Sequence, residues 1–151
     1  MVLEKDFVSD LLWAEVMGEP TEGLSPRWAK TNITAEEAEE FCRRRTEQER
    51  REHDDAFVEQ LGHATGWSSG TPPTYRLPTE EEWVADFEEA PYRHTMYGWT
   101  STAQSGGSVR VILGGGWFND SARDLWAPNR SRSRPENRNA YLGLRCARED
   151  K

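Results

Sequence analysis

Hydrophobic positions along the chain change their period near residue 90. Before it they recur at helical spacing, and after it they gather in short runs bounded by glycine. Near the start, Leu12, Trp13, Val16 and Met17 fall on one helical face, with Ser9 placed to cap the element and Gly18 and Pro20 to end it. At Thr34 the pattern T-x-x-E, completed by Glu37, is a capping box, and Ala38, Phe41 and Cys42 follow as a buried stripe. From Arg43 to Asp55 nearly every residue is charged, in mixed sign, before Phe57 and Leu61 resume the spacing; this reads as a solvated extension of the same helix. A second capping box, Thr79 with Glu82, opens a short helix whose inner face is Trp83, Val84 and Phe87. Its neighbouring glutamates, Glu80 to Glu82, already have a helix-dipole reason to stand there, so they are not read as catalytic carboxylates.

The later runs YGWTSTA, VRVILGG and YLGLRCA are β-branched or aromatic and read as strands. Around them lies GGGWFNDSARDLWAPNRSRSRPENRNAYLGLR, Gly114 to Arg145, whose middle, NRSRSRPENRN, has no aliphatic side chain. A loop of about 25 residues of this composition cannot be held by burial, so its backbone groups need polar partners. Arginine and asparagine supply several directed hydrogen bonds each. The expectation is one α+β domain, residues 1–151, with a long ordered loop toward its C-terminal end.

Composition narrows the function. A chain of 151 residues with 35% hydrophobic content supports one core, not two. The net charge of −8 conceals an asymmetry, because Arg110 to Lys151 holds nine basic and five acidic residues, leaving about −12 for the first 109. A body of that charge is not built to lie along a phosphate backbone. No run approaches the ~20 apolar residues of a membrane span, and MVLEKDFVSD lacks the apolar core of a signal peptide. Synthesis in the cytoplasm without membrane insertion is expected, with any association with a virion or cell surface left open. Two cysteines, without CxxC spacing, and the scattered His53, His63 and His94 point to no structural metal. There is no P-loop or G-x-G-x-x-G. No catalytic residue, metal or cofactor is assigned, and a non-enzymatic protein is expected.

An ordered set of landmarks runs through almost the whole chain: W-x-x-V-M-G at Trp13 to Gly18, F-C at Phe41 and Cys42, Y-R-L-P-T-E-x-E-W at Tyr75 to Trp83, W-T-S at Trp99 to Ser101, R-V-x-x-G-G-x-W at Arg110 to Trp117, and Y-L-G-L-R at Tyr141 to Arg145. In these the sequence resembles the C-type-lectin-like domain of the formylglycine-generating enzyme and sulfatase-modifying-factor superfamily. The resemblance implies two main helices packed on a small, twisted, mostly antiparallel sheet. Departures are the loss of the opening strand of longer members, a lengthened charged helix at 43–62, and Leu144 where the family usually has Phe. The oxidase members carry reactive cysteines in the segment corresponding to DLWAPNRSRSRP, and this segment has none, which removes the soft copper ligand and the sulfur nucleophile. Cys42 and Cys146 match structural positions that the resemblance places side by side, with Cα atoms within about 7 Å, either as buried thiols or as a disulfide.

The C-terminal part, residues 110–151, is similar to the variable proteins of diversity-generating retroelements, in which adenines of a template repeat are randomised. The resemblance implies a fixed frame that includes Trp117, Asn119, Asp120, Arg130, Arg132, Asn137, Arg138 and Arg145. It implies a variable, outward set of Phe118, Asp124, Trp126, Ser131, Ser133, Arg134, Ala140 and Tyr141. An AAC codon randomised at its adenines becomes NNC, which encodes the residues at 118, 124, 131, 133, 140 and 141 but not Trp; Trp126 needs another origin, such as an arginine codon. Frame arginines and Asn137 are expected to point inward, and the variable residues to cluster, exposed, on one surface. Aromatic anchors beside small serines suit a macromolecular ligand, a protein before a nucleic acid. The competing classes are an arginine-rich nucleic-acid binder and a degenerate enzyme of the superfamily.

Overall fold

The computed structural model of the chain describes residues 1–61, 72–89, 96–104, 107–114 and 129–149. Helix α1, Asp10–Met17, starts where the Ser9 side chain accepts the Leu12 N–H at 3.0 Å and stops at Gly18, whose φ of 73° is the left-handed cap conformation. Helix α2, Ala35–Leu61, opens on the expected reciprocal box: the Glu37 N–H donates to Thr34 Oγ1 at 3.1 Å and the Thr34 N–H to Glu37 Oε1 at 2.9 Å. Helix α3, Glu80–Glu89, repeats the device with Thr79 and Glu82, at 3.1 and 2.8 Å. Both capping boxes were legible in the sequence and both are formed.

The strands are β1 (Val2–Leu3), β2 (Thr74–Arg76), β3 (Tyr97–Ala103), β4 (Arg110–Gly114), β5 (Asn129–Ser133), β6 (Leu142–Gly143) and β7 (Ala147–Glu149). They form two sheets, ordered β1-β7-β2 and β5-β4-β3-β6. Every pairing is antiparallel except β3 with β6. The architecture is α+β and contains the three helices read from the sequence, with one correction to the expected outline among the described residues: two small sheets rather than one. A two-residue strand, β1, opens the chain and pairs with β7 through Val2 and Leu3. The run YLGLRCA, expected as one strand, divides into the ends of two, because β6 lies in one sheet and β7 in the other.

The four-stranded sheet is covered on both faces. Trp99 and Ile112, directly opposite one another, belong to the core that contains Val8, Trp13, Phe41, Leu142 and Leu144, on the side of α1 and α2. Val111 and Leu113 point the other way and pack with Trp83 of α3 and Leu3. Gly98 lies opposite Leu113, and a Cβ there would come within 2.5 Å of the Trp83 ring, so the indole occupies the space a side chain would need. Trp99 satisfies its buried indole N–H by donating to the Ile33 carbonyl at 3.0 Å.

The charged continuation of α2 is helical as expected, but its inner side is engaged rather than solvated. Arg45 stacks on the Tyr75 ring at 3.9 Å and donates to both carboxylate oxygens of Glu4, at 2.6 and 3.1 Å. Thr46 Oγ1 accepts the Tyr75 N–H at 2.8 Å, and the Tyr75 hydroxyl donates to Glu49 at 2.6 Å. Polar side chains thus clasp β2 and the N-terminal strand where apolar ones would otherwise be needed. Burial, then the bond to Glu49, pushes the Tyr75 hydroxyl pKa up. Among the described residues no helix is long and apolar enough to cross a membrane.

Candidate ligand-binding surface

Segment 129–145 begins as β5, not as loop. Its register against β4 sets Ser131 opposite Ile112 and Ser133 opposite Arg110, while Arg130 and Arg132 oppose Leu113 and Val111. Residues directly opposite in an antiparallel pair share a face. Ser131 and Ser133 therefore lie on the α2 side of the sheet, where Arg110 pairs with Glu39, and Arg130 and Arg132 on the α3 side. Arg130 reaches the first turn of α3, donating to Glu80 Oε1 at 2.5 Å and to Gln104 at 3.0 Å. Period-2 geometry has sorted the two expected classes of residue onto opposite faces of one strand.

After β5 the chain makes a turn closed by the Asn137 N–H on the Arg134 carbonyl at 3.0 Å, and it crosses the N-terminal end of α2. There the Ala35 N–H donates to the Pro135 carbonyl at 2.9 Å, and Arg138 donates to the Asn32 carbonyl at 3.1 Å and to Glu37 Oε1 at 2.5 Å. Glu37 is the capping-box glutamate, so one carboxylate serves both the helix start and the crossing segment. Its pKa is lowered: burial alone would raise it, but the Thr34 N–H and the Arg138 guanidinium outweigh that. The crossing ends in a second turn. The Leu142 N–H donates to the Asn139 carbonyl at 3.1 Å, and Asn139 Oδ1 accepts the Tyr141 N–H at 2.7 Å. Ala140 and Tyr141 form its corner, both exposed, Tyr141 by 60%.

Ser131, Arg134, Ala140 and Tyr141 are exposed as expected. Ser133 is only half-buried in that sense, because its hydroxyl donates to the Arg134 carbonyl at 3.3 Å and accepts from Asn137 at 3.4 Å. The set does not gather at one point. Ser131, Ser133 and Arg134 lie at the β5 edge and Ala140 and Tyr141 at the β6 edge, with β4 and β3 between them. Three strand spacings across and five residues along put Ser133 and Tyr141 roughly 20 Å apart. Phe118, Asp124 and Trp126 of the variable set, and Trp117, Asn119 and Asp120 of the frame, lie outside the described residues.

The expected inward direction of Arg130, Arg132, Asn137 and Arg138 is not what the structure has: all four are exposed, Arg138 with 54% of its side chain accessible. Among the described residues β5 is a terminal strand of its sheet, and the crossing segment passes the N-terminal end of α2. Arg138, Arg130 and Asn137 nonetheless bond as a frame would. Among the described frame residues, Arg145 is the one that is buried. None of its surface is accessible; its Nε donates to the Glu4 carbonyl at 2.9 Å, its Nη2 to Asp86 at 3.2 Å, and it lies over the Trp83 ring at 4.9 Å. Asn139 was missed in the sequence, although an asparagine opening a turn is the usual signal. Trp28, 72% exposed in the loop beside α1, was also missed as a surface aromatic.

Cys42 and Cys146 do lie side by side, both buried and free, with Sγ atoms 3.9 Å apart. The hydrogen bond between them, then burial, pushes the Cys42 thiol up, away from thiolate chemistry. Among the described residues no three His, Cys, Asp or Glu side chains converge to hold a metal ion. No protein-family model, curated protein or solved structure matches the chain.

Proposed function

We propose that this chain is a non-catalytic binding module with a C-type lectin-like fold, whose C-terminal segment is diversified by adenine-directed mutagenesis from a retroelement template. The observation that carries the reading is the separation of fastening from display in residues 129–145. Fastening falls to Arg138, Asn139, Arg145 and backbone bonds at Pro135 and Arg134, whereas Ser131, Arg134, Ala140 and Tyr141 are exposed and hold no core contact. A surface arranged this way accepts new side chains, since exposed substitutions away from special features change stability by under about 0.5 kcal/mol. The roughly 20 Å between the two edges favours a macromolecular ligand, because a protein interface of about 800 Å² per partner spans it and a small molecule does not.

The test is in the DNA beside the gene. A near-copy of the bases encoding 114–145, differing only at template adenines and accompanied by a reverse transcriptase, is the expected finding; differences scattered over all four template bases would sink the reading. A protein-level test replaces Phe118, Asp124, Trp126, Ser131, Ser133, Arg134, Ala140 and Tyr141 together with serine or alanine. Thermal stability should be nearly unchanged, and an unfolded variant would show that the segment is core.

A further inference from the structure

The edge of β5 is chemically unlike the rest of this acidic protein. As the terminal strand of its sheet it pairs through one flank with β4, so alternate residues turn their N–H and C=O groups to the other flank. Among the described residues nothing bonds those groups. Arg132 is exposed and its guanidinium meets no carboxylate among the described residues, and the same holds for Arg134, which continues its parity one residue past the strand. On the opposite face stand Ser131 and Ser133, which obstruct little. An unpaired ladder, two uncompensated cations in register and a small-residue face together specify a ligand.

We infer that the free edge of β5 takes up an extended acidic segment of a partner protein as an added strand, with alternate carboxylates facing Arg132 and Arg134. The inference rests on the binding-module reading and gives it a mode of recognition: main-chain bonds supply affinity and alternate side chains supply selectivity. A second copy of the chain is disfavoured as the occupant. Antiparallel pairing centred on Ser131 would set Arg130 opposite Arg132, and like charges directly opposite destabilise a strand pair. A nucleic acid would meet the arginines but has no peptide ladder to offer the strand edge.

The experiment selects a phage-displayed library of random nine-residue peptides against the full chain. Enriched peptides should carry Asp or Glu at alternate positions. Synthetic versions N-methylated at backbone positions of one parity should lose binding, and those methylated at the other parity should keep it. The double variant Arg132→Ser with Arg134→Ser, which should retain its melting temperature, should weaken binding about tenfold, the equivalent of about 1.4 kcal/mol shared by two exposed ion pairs. Absence of enrichment, enrichment without acidic alternation, or indifference to N-methylation at both parities would each overturn the inference. So would tighter binding of a twenty-nucleotide oligothymidine than of any selected peptide. None of these failures touches the template-repeat comparison, on which the binding-module reading stands or falls separately.

Discussion

Replacing Arg145 should cost more than replacing any exposed arginine of the same segment. Its side chain is wholly inaccessible, donates to the Glu4 carbonyl and to Asp86, and covers the Trp83 ring. Arg145→Ala leaves a cavity and removes the charged donor of two bonds at once. Breaking a buried charge pair from one side costs about 3–5 kcal/mol. Asp86 retains 30% of its side-chain exposure and can regain water, which places the expected loss near the lower bound, about 3 kcal/mol. For a domain of this size that corresponds to a fall of about 6–12 °C in melting temperature. The assay is urea unfolding followed by tryptophan fluorescence, with the slope checked so that a shift in midpoint reports stability. Arg145→Lys should recover only part of the loss, since an ammonium cannot reproduce the guanidinium fork or its stacking. A loss below about 1 kcal/mol for Arg145→Ala, with an unchanged slope, would refute the assignment of Arg145 as the anchor of the segment.

Acid should weaken the fold between about pH 4.5 and pH 2. Bonds from Arg76, opposed by burial and aided by the Thr79 N–H, hold the Glu82 carboxyl at about 2, and bonds from Arg43 and Arg44 do the same for Glu40, against an ordinary value of 4.5. In that window the unfolded chain binds protons that the folded chain does not, so stability is complete above it and is lost as pH falls; urea midpoints for Glu82→Gln should show a shallower dependence than the parent. Gly143→Ala should destabilise by about 1–3 kcal/mol, because the new Cβ would stand 2.6 Å from the Lys30 carbonyl oxygen and only backbone movement relieves that; a neutral result in the same unfolding assay would contradict the close approach. Cys42 and Cys146 should react with an aromatic disulfide reagent only in step with unfolding, as followed by its released thiolate across a urea series; rapid labelling in water would contradict their burial.

Much of the helical layer was legible because capping is local. Thr34 with Glu37 and Thr79 with Glu82 declare their helices within four residues, and the apolar stripes behind them name the buried faces. Strands β3 and β4 were legible for a related reason, being runs with residues buried on both faces. Strand β5 was not. NRSRS has neither β-branched nor aromatic residues, and it is a strand because β4 offers it a ladder, a cause that lies outside its own sequence. Strands β1, β2 and β6, of two or three residues, are too short to express any period. The division of YLGLRCA between two sheets follows from Leu144, Arg145 and Cys146, which are buried between β6 and β7, a tertiary arrangement no alternation reveals.

Exposure does not separate the expected display residues from the expected frame in this segment; bonding separates Arg138 from Arg134, while Arg132 of the frame has no ion pair among the described residues. Arg134 and Arg138 are both exposed, four residues apart, and by accessibility alone would be interchangeable. Arg138 joins the Asn32 carbonyl to the glutamate that starts α2, so its loss frees two groups on another element, whereas the Arg134 guanidinium has no such partner among the described residues. Ser131 and Ser133 differ in the same manner: the second is tied to the Arg134–Asn137 turn and the first is not. The expectation that Arg130, Arg132, Asn137 and Arg138 point inward is therefore not met. A thin sheet edge has no interior in which to hide its fasteners, and it holds its course with surface arginines whose partners lie on the helices behind it. Such fasteners are individually weak, since exposed ion pairs contribute about 0–1 kcal/mol. The segment then depends on their number and on Arg145, the one anchor among them that water does not reach.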